Sequence, residues 1–223
     1  MENLFTDPFN ILLIAAFIGF FMAFGIGAND VANSMGTSVG ARALTIKQAI
    51  LIAAVFEFLG AFLAGGEVTS TIRKGIVDPN LYTDQVNIFV IGMMSALLAG
   101  GTWLYIASLR GWPVSTTHSI VGAIIGFVLI TKGVDAVSWG KVSNIAMSWV
   151  TSPLFSGILA FSLYISAKKL ILDRANPGKA AITFIPFYSF LVAVVISLVT
   201  ARKGLKHVGI EWTENEVYLF TLI

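Results

Sequence analysis

Apolar residues gather in six long stretches, and the polar ones collect at the joins between them: Phe9–Gly27, Ile50–Gly66, Val86–Leu109, Gly111–Thr131, Val142–Ala167 and Ala180–Ala201. Each approaches the roughly 20 residues a helix needs to cross a bilayer core. The only Asp, Glu, Lys, Arg or His side chains within them are Glu57, in the second, and His118, in the fourth. Lipid offers no partner to an open strand edge, so all six are expected to be helical. The alternating pattern of an outer-membrane barrel is missing. The pattern predicts an all-α integral membrane protein, a polytopic helical bundle.

The joins carry the charge. Arg42 and Lys47 follow the first stretch, and the segment Glu67–Gln85 sets Arg73 and Lys74 against Glu67, Asp78 and Asp84. Lys168, Lys169, Arg174 and Lys179 face one acid, Asp173, before the last stretch. Basic loops stay in the cytoplasm, so an outside N-terminus places the first and fifth joins inside. Arg202, Lys203 and Lys206 fall on the other side and run against this orientation. Residues 1–216 read as one membrane repeat, and Val217–Ile223 as the start of a further, truncated membrane helix.

Composition adds mostly exclusions. Hydrophobic residues make up 57% and charged residues 12%, with a mean hydropathy of +0.86; a soluble domain carries about twice that charged share. A net charge of +2 suggests no nucleic-acid surface. Without cysteine there are no disulfides, thiolate metal sites or thiol nucleophiles. Glu2 and Asp7 precede the first stretch without a basic segment, which argues against a cleaved signal peptide.

Two breaks in the apolar pattern carry the chemistry. The first spans Gly25–Gly40, with glycines at 25, 27, 36 and 40 and with Asn29, Asp30 and Asn33. Glycine weakens helix propagation, so an unwound helix with free carbonyls beside a carboxylate is expected, a seat for a small hard cation such as sodium. The plainer reading is an Asn-Asp helix cap at the membrane surface. The second break, Arg110–Ser119, puts Pro113 at the expected first turn of a helix. Ser115, Thr116 and Thr117 then lie beside unpaired N–H groups at a positive helix end, which binds phosphate or another oxyanion. The alternative is hydroxyls that cap or bond back to their own helix. Glu57 sits at membrane depth, where an ionisable group is costly and faces protein or water; it reads as a cation partner, a proton relay or a structural hydrogen bond. His118 is read either as a proton-exchanging group or as a structural one.

Together the segments GANDVANSMGTSVGARALT (27–45), FEFLGAFLAGGEVTSTIRKGIVDPNLY (56–82) and GWPVSTTHSIVGAIIG (111–126) closely resemble the PiT family of inorganic phosphate transporters. The resemblance implies a sodium- or proton-coupled phosphate symporter of the cell membrane, built from two halves of inverted topology with broken or re-entrant helices. Each half carries one copy of each signature, the substrate lies between them, and the assembly is a homodimer. By motif, Asn29, Asp30 and Asn33 line the ion and phosphate site, with Asp30 as the sodium ligand, and Ser115, Thr116 and Thr117 hold phosphate. Glu57 matches the family's intramembrane glutamate. The STIRKGI stretch (70–76) is closer to the sodium-coupled branch, so sodium is expected as a co-transported ligand, with no cofactor. One copy of each signature is present here, which corresponds to the first half of such a carrier, with a second half as partner.

Three rivals remain at this stage. The hydroxyl and glycine pattern suits another tetrahedral oxyanion such as sulfate, and proton- or metal-phosphate symport is compatible with the same residues. A receptor would bind without uptake. An enzyme is disfavoured: His118 and His207 do not form H-E-x-x-H, and Ser115 with His118 has no evident orienting carboxylate.

Overall fold

A computed structural model describes residues 7–204 and 212–222. The expectations for Lys206 and His207 fall outside the described residues. The elements are α1 (Pro8–Gly40), α2 (Ile46–Gly75), a 3-10 turn (Pro79–Gln85), α3 (Val86–Leu109), α4 (Thr116–Lys132), a second 3-10 turn (Val134–Ala136), α5 (Trp139–Ala167), α6 (Pro177–Val199) and α7 (Glu214–Leu222). α5 continues as a π-helical turn over Lys168–Leu172, and α6 over Thr200–Gly204. There is no strand among the described residues beyond an isolated antiparallel bridge, Val77 to Val137.

The helix starts follow from local chemistry. Asp7 accepts the Phe9 N–H at 2.9 Å with Pro8 in the first turn of α1. Thr45 and Gln48 form a capping box on α2. Thr213 and Glu216 do the same for α7, and hydrogen bonds from the Thr213 N–H and hydroxyl hold the Glu216 carboxyl below the usual carboxylate range.

Among the described residues five helices are long and apolar enough to cross a membrane: α1, Ile46–Leu63 of α2, α3 with its preceding turn, α5 and α6. The chain is an integral membrane protein. α4, the fourth expected span, departs from expectation. It has 17 residues, about 25 Å at 1.5 Å per residue, and so is shorter than a hydrocarbon core of about 30 Å. The missing length is Gly111–Ser115, which is not helical. Several expected loops are also shorter: α2 runs on to Gly75, and the join between α5 and α6 shrinks to residues 173–176.

The largest correction concerns the first break. α1 is one uninterrupted helix from Pro8 to Gly40, so the expected unwinding at Gly25–Gly40, with its free carbonyls, does not occur. Here glycine serves packing. A Cβ on Gly25 would come within 3.1 Å of Leu104 Cβ and 3.3 Å of the Gly101 carbonyl, and one on Gly101 within 3.1 Å of the Met22 Cα. The pair lets α1 and α3 approach backbone to backbone, the usual device where lipid removes the hydrophobic drive between helices. Gly92 does the same for α3 against the Phe127 ring of α4. Tyr82 stacks on Phe127 at 5.6 Å between centroids, and its hydroxyl lies 2.6 Å from Thr131 Oγ1.

α1 ends in a Schellman-type turn. The Arg42 N–H donates to the Val39 carbonyl and the Ala43 N–H to the Ser38 carbonyl, at 3.0 and 2.9 Å, with Arg42 left-handed at φ 59°. A non-glycine residue there costs about 1–2 kcal/mol.

The chain divides into two compact units. The first contains α1, α2 except Leu59–Thr69, α3 and α4 with their flanking turns, as far as Trp139; the second contains Leu59–Thr69, α5 from Gly140, α6 and α7. In the second, Arg202 bridges Glu214 at 2.8 Å and its guanidinium lies over the Tyr218 ring. The segments 27–45 and 111–126 belong to the first unit.

Candidate functional site

α3 ends where the second break begins. Gly111 takes the left-handed conformation at φ +65°, the Gly111 N–H donates to the Ser108 carbonyl at 3.1 Å, and the Trp112 N–H to the Ala107 carbonyl at 2.8 Å. This is a Schellman cap with glycine where no Cβ is tolerated cheaply. Pro113 follows and blocks any continuation of the helix. It lies two residues before the cap of α4 rather than in its first turn, because Ser115 is the N-cap. The Trp112 ring has the Arg110 guanidinium at 5.1 Å and the Trp103 ring at 6.3 Å.

Residues 112–116 lie against the polar turn of α1. Asn29, 5% exposed, donates from Nδ2 to the Trp112 carbonyl at 3.0 Å and accepts the Val114 N–H on Oδ1 at 3.4 Å. One residue on, the Asp30 carboxylate accepts the Thr116 hydroxyl at 3.1 Å. The two breaks, 86 positions apart in sequence at this bond, therefore meet in space. Ser115 caps α4 by accepting the His118 N–H at 3.3 Å, and its hydroxyl also pairs with His118 Nδ1 at 2.6 Å. The capping reading is thus realised for Ser115. The N–H groups of Thr116 and Thr117, in the first turn of α4, have no carbonyl four residues back in the helix to accept them.

Thr117 and Asn33 are exposed, Asp30 and Thr116 half-buried. Asn33 shares a face with Asn29 by spacing but is not brought onto residues 112–116 as Asn29 is. Glu57 is exposed, and its Oε2 lies 3.9 Å from where a Cβ on Gly27 would stand. Gly27 and Asp30 are neighbours one helical turn apart on α1, so α2 delivers a second carboxylate to the Asp30 side of that helix. Among the described residues no group of three or more His, Asp or Glu converges.

The sequence did not reveal that the backbone of Trp112 and Val114 would be the partner of Asn29. The signal was there in part: glycine, then proline two residues on, behind an apolar helix marks a capped end followed by extended chain.

The model of a family described as the phosphate transporter family matches residues 26–223. A Haemophilus influenzae protein, designated by inference a phosphate permease, is 51% identical over 209 residues, covering 94% of this chain and 50% of that protein. The chloroplastic inorganic phosphate transporter 2-1 of Arabidopsis thaliana is 48% identical over 179 residues, covering 80% of this chain and 30% of that protein. A solved structure described as the sodium-dependent phosphate transporter superposes with a TM-score of 0.86 at 42% identity, covering 96% of this chain and 52% of that one. The chain spans about half the length, or less, of the relatives it matches.

Proposed function

Since the chain belongs to the phosphate transporter family, we propose that it forms the first membrane half of a carrier that moves inorganic phosphate together with sodium. The family is one of transporters, not enzymes. The observation that carries the reading is the hydrogen bond from Thr116 to Asp30, which puts a carboxylate at the N-terminal end of α4. That helix end, with the hydroxyls of Ser115, Thr116 and Thr117, suits an oxyanion. A carboxylate beside a bound phosphate would repel it unless a cation stood close by. Two unit charges 4 Å apart interact by about 4 kcal/mol at an effective dielectric near 20, so each ligand stabilises the other. Coupling of cation and phosphate then follows from electrostatics.

Asp30 is the proposed sodium ligand, with Glu57 along the same side of α1, and Asn33, about one turn on from Asp30, is a proposed phosphate-binding residue. A solved relative described as sodium-dependent supports sodium as the cation. Glu57, exposed within an apolar helix, supports a second half covering this face, because lipid is a poor environment for a carboxylate. A bilayer-spanning assembly of two such halves, dimeric in the cell membrane, is the arrangement proposed for the complete carrier.

The test is uptake by the complete carrier in proteoliposomes. Phosphate should accumulate under an imposed sodium gradient at constant pH. Uptake driven by a pH gradient alone, indifferent to sodium, would assign the coupling to protons.

A further inference from the structure

Asn29 stands in the site, yet its amide is already committed. Nδ2 donates to the Trp112 carbonyl at 3.0 Å, Oδ1 accepts the Val114 N–H at 3.4 Å, and the residue is 5% exposed. The amide thus spans Pro113, which has no N–H of its own, and pairs with the backbone groups on either side of it. Residues 112–114 are the part of the connection that neither helix end holds: the Schellman cap of α3 fixes Gly111 and the Trp112 N–H, and Ser115 begins the cap of α4. The buried Asn29 amide thus supplies side-chain hydrogen bonds to this stretch of backbone. The Arg110 guanidinium and Trp103 steady the Trp112 ring, but Asn29 steadies its backbone.

We infer that Asn29 is a positioning residue, a clamp that holds the Trp112–Val114 backbone so that Ser115 and Thr116 meet the ligand beside Asp30, and not itself a ligand of sodium or phosphate. This rests on the phosphate reading above for its functional consequence, but not for the clamp itself.

The discriminating variant is Asn29→Asp. A carboxylate is at least as good a sodium ligand as an amide, so a ligand role predicts retained or tighter sodium binding. A clamp predicts failure, because the new oxygen meets the Trp112 carbonyl where a donor is required. In the complete carrier, Asn29→Asp and Asn29→Ala should both raise the KM for phosphate about tenfold, as expected for losing aimed hydrogen bonds. The sodium concentration giving half-maximal binding, measured without phosphate, should not move in Asn29→Ala, which adds no charge beside Asp30. Hydrogen exchange on the ligand-free proteins should show residues 112–116 opening in both variants, and the Val114 amide protected in the wild type. Wild-type phosphate KM in Asn29→Asp, or a shifted sodium midpoint in Asn29→Ala, would overturn the inference. So would a Val114 amide that exchanges at an open-loop rate in the wild type, a measurement that needs no variant. Because exchange is read without phosphate or sodium, it tests the clamp even if the wild-type carrier proves to move another anion.

Discussion

In the complete carrier, Asp30→Asn is expected to lower sodium-driven phosphate uptake about a hundredfold or more while leaving the protein in the membrane. The substitution keeps size and shape, and the new amide oxygen still accepts the Thr116 hydroxyl, so the bond between α1 and α4 survives. What disappears is the charge. At about 4 kcal/mol for a unit pair at 4 Å, even half of that attraction is worth more than tenfold in sodium affinity, and the loss recurs in phosphate binding through the shared cation. Uptake assays with membrane quantities normalised by immunodetection check this. Near-normal, still sodium-dependent uptake by Asp30→Asn would remove Asp30 from the site.

The double substitution Thr116→Val, Thr117→Val is expected to weaken phosphate about tenfold or more. Valine keeps the volume and the branched shape but removes two hydroxyl donors from a desolvated anion, and one lost hydrogen bond to a charged group costs about 1.5–3 kcal/mol. Thr117 is exposed and Thr116 half-buried, and the single hydroxyl hydrogen of Thr116, given to Asp30 in this structure, turns to the anion once a cation takes its place at the carboxylate. Phosphate KM with sodium saturating is the quantity to measure. An unchanged KM in the double variant would place the anion away from the start of α4.

The helical membrane character was legible in the sequence because it rests on composition and length, which need no partner to read. The uncharged run Val86–Leu109 is α3 to the residue. The two breaks were legible as places of interest but not as shapes. Glycines at 25 and 27 suggest unwinding when only propensity is counted. In the fold, Gly25 is consumed by the close approach of Gly101 and Leu104, and Gly27 leaves room beside the Glu57 carboxylate. Those partners lie far along the chain, so local reasoning could not supply them. The second break went the other way. A run with no formal charge looked long enough to span, but Gly111 and Pro113 end one helix and delay the next until Thr116. The meeting of Asn29 and Asp30 with residues 112–116 is a tertiary fact that the sequence contains only as two separate polar islands. The resemblance to a family grouped those islands into one site, and it did not indicate that the Asn29 amide would bond backbone.

The central claim is that sodium and phosphate share the space between Asp30 and the start of α4. Equilibrium phosphate binding to the purified complete carrier, titrated at several sodium concentrations, tests it most directly, since linkage between the two ligands must be reciprocal. In the wild type, phosphate affinity should rise with sodium until sodium saturates, and in Asp30→Asn the dependence should flatten. Equal sodium dependence in both proteins, or none in the wild type, would contradict the account.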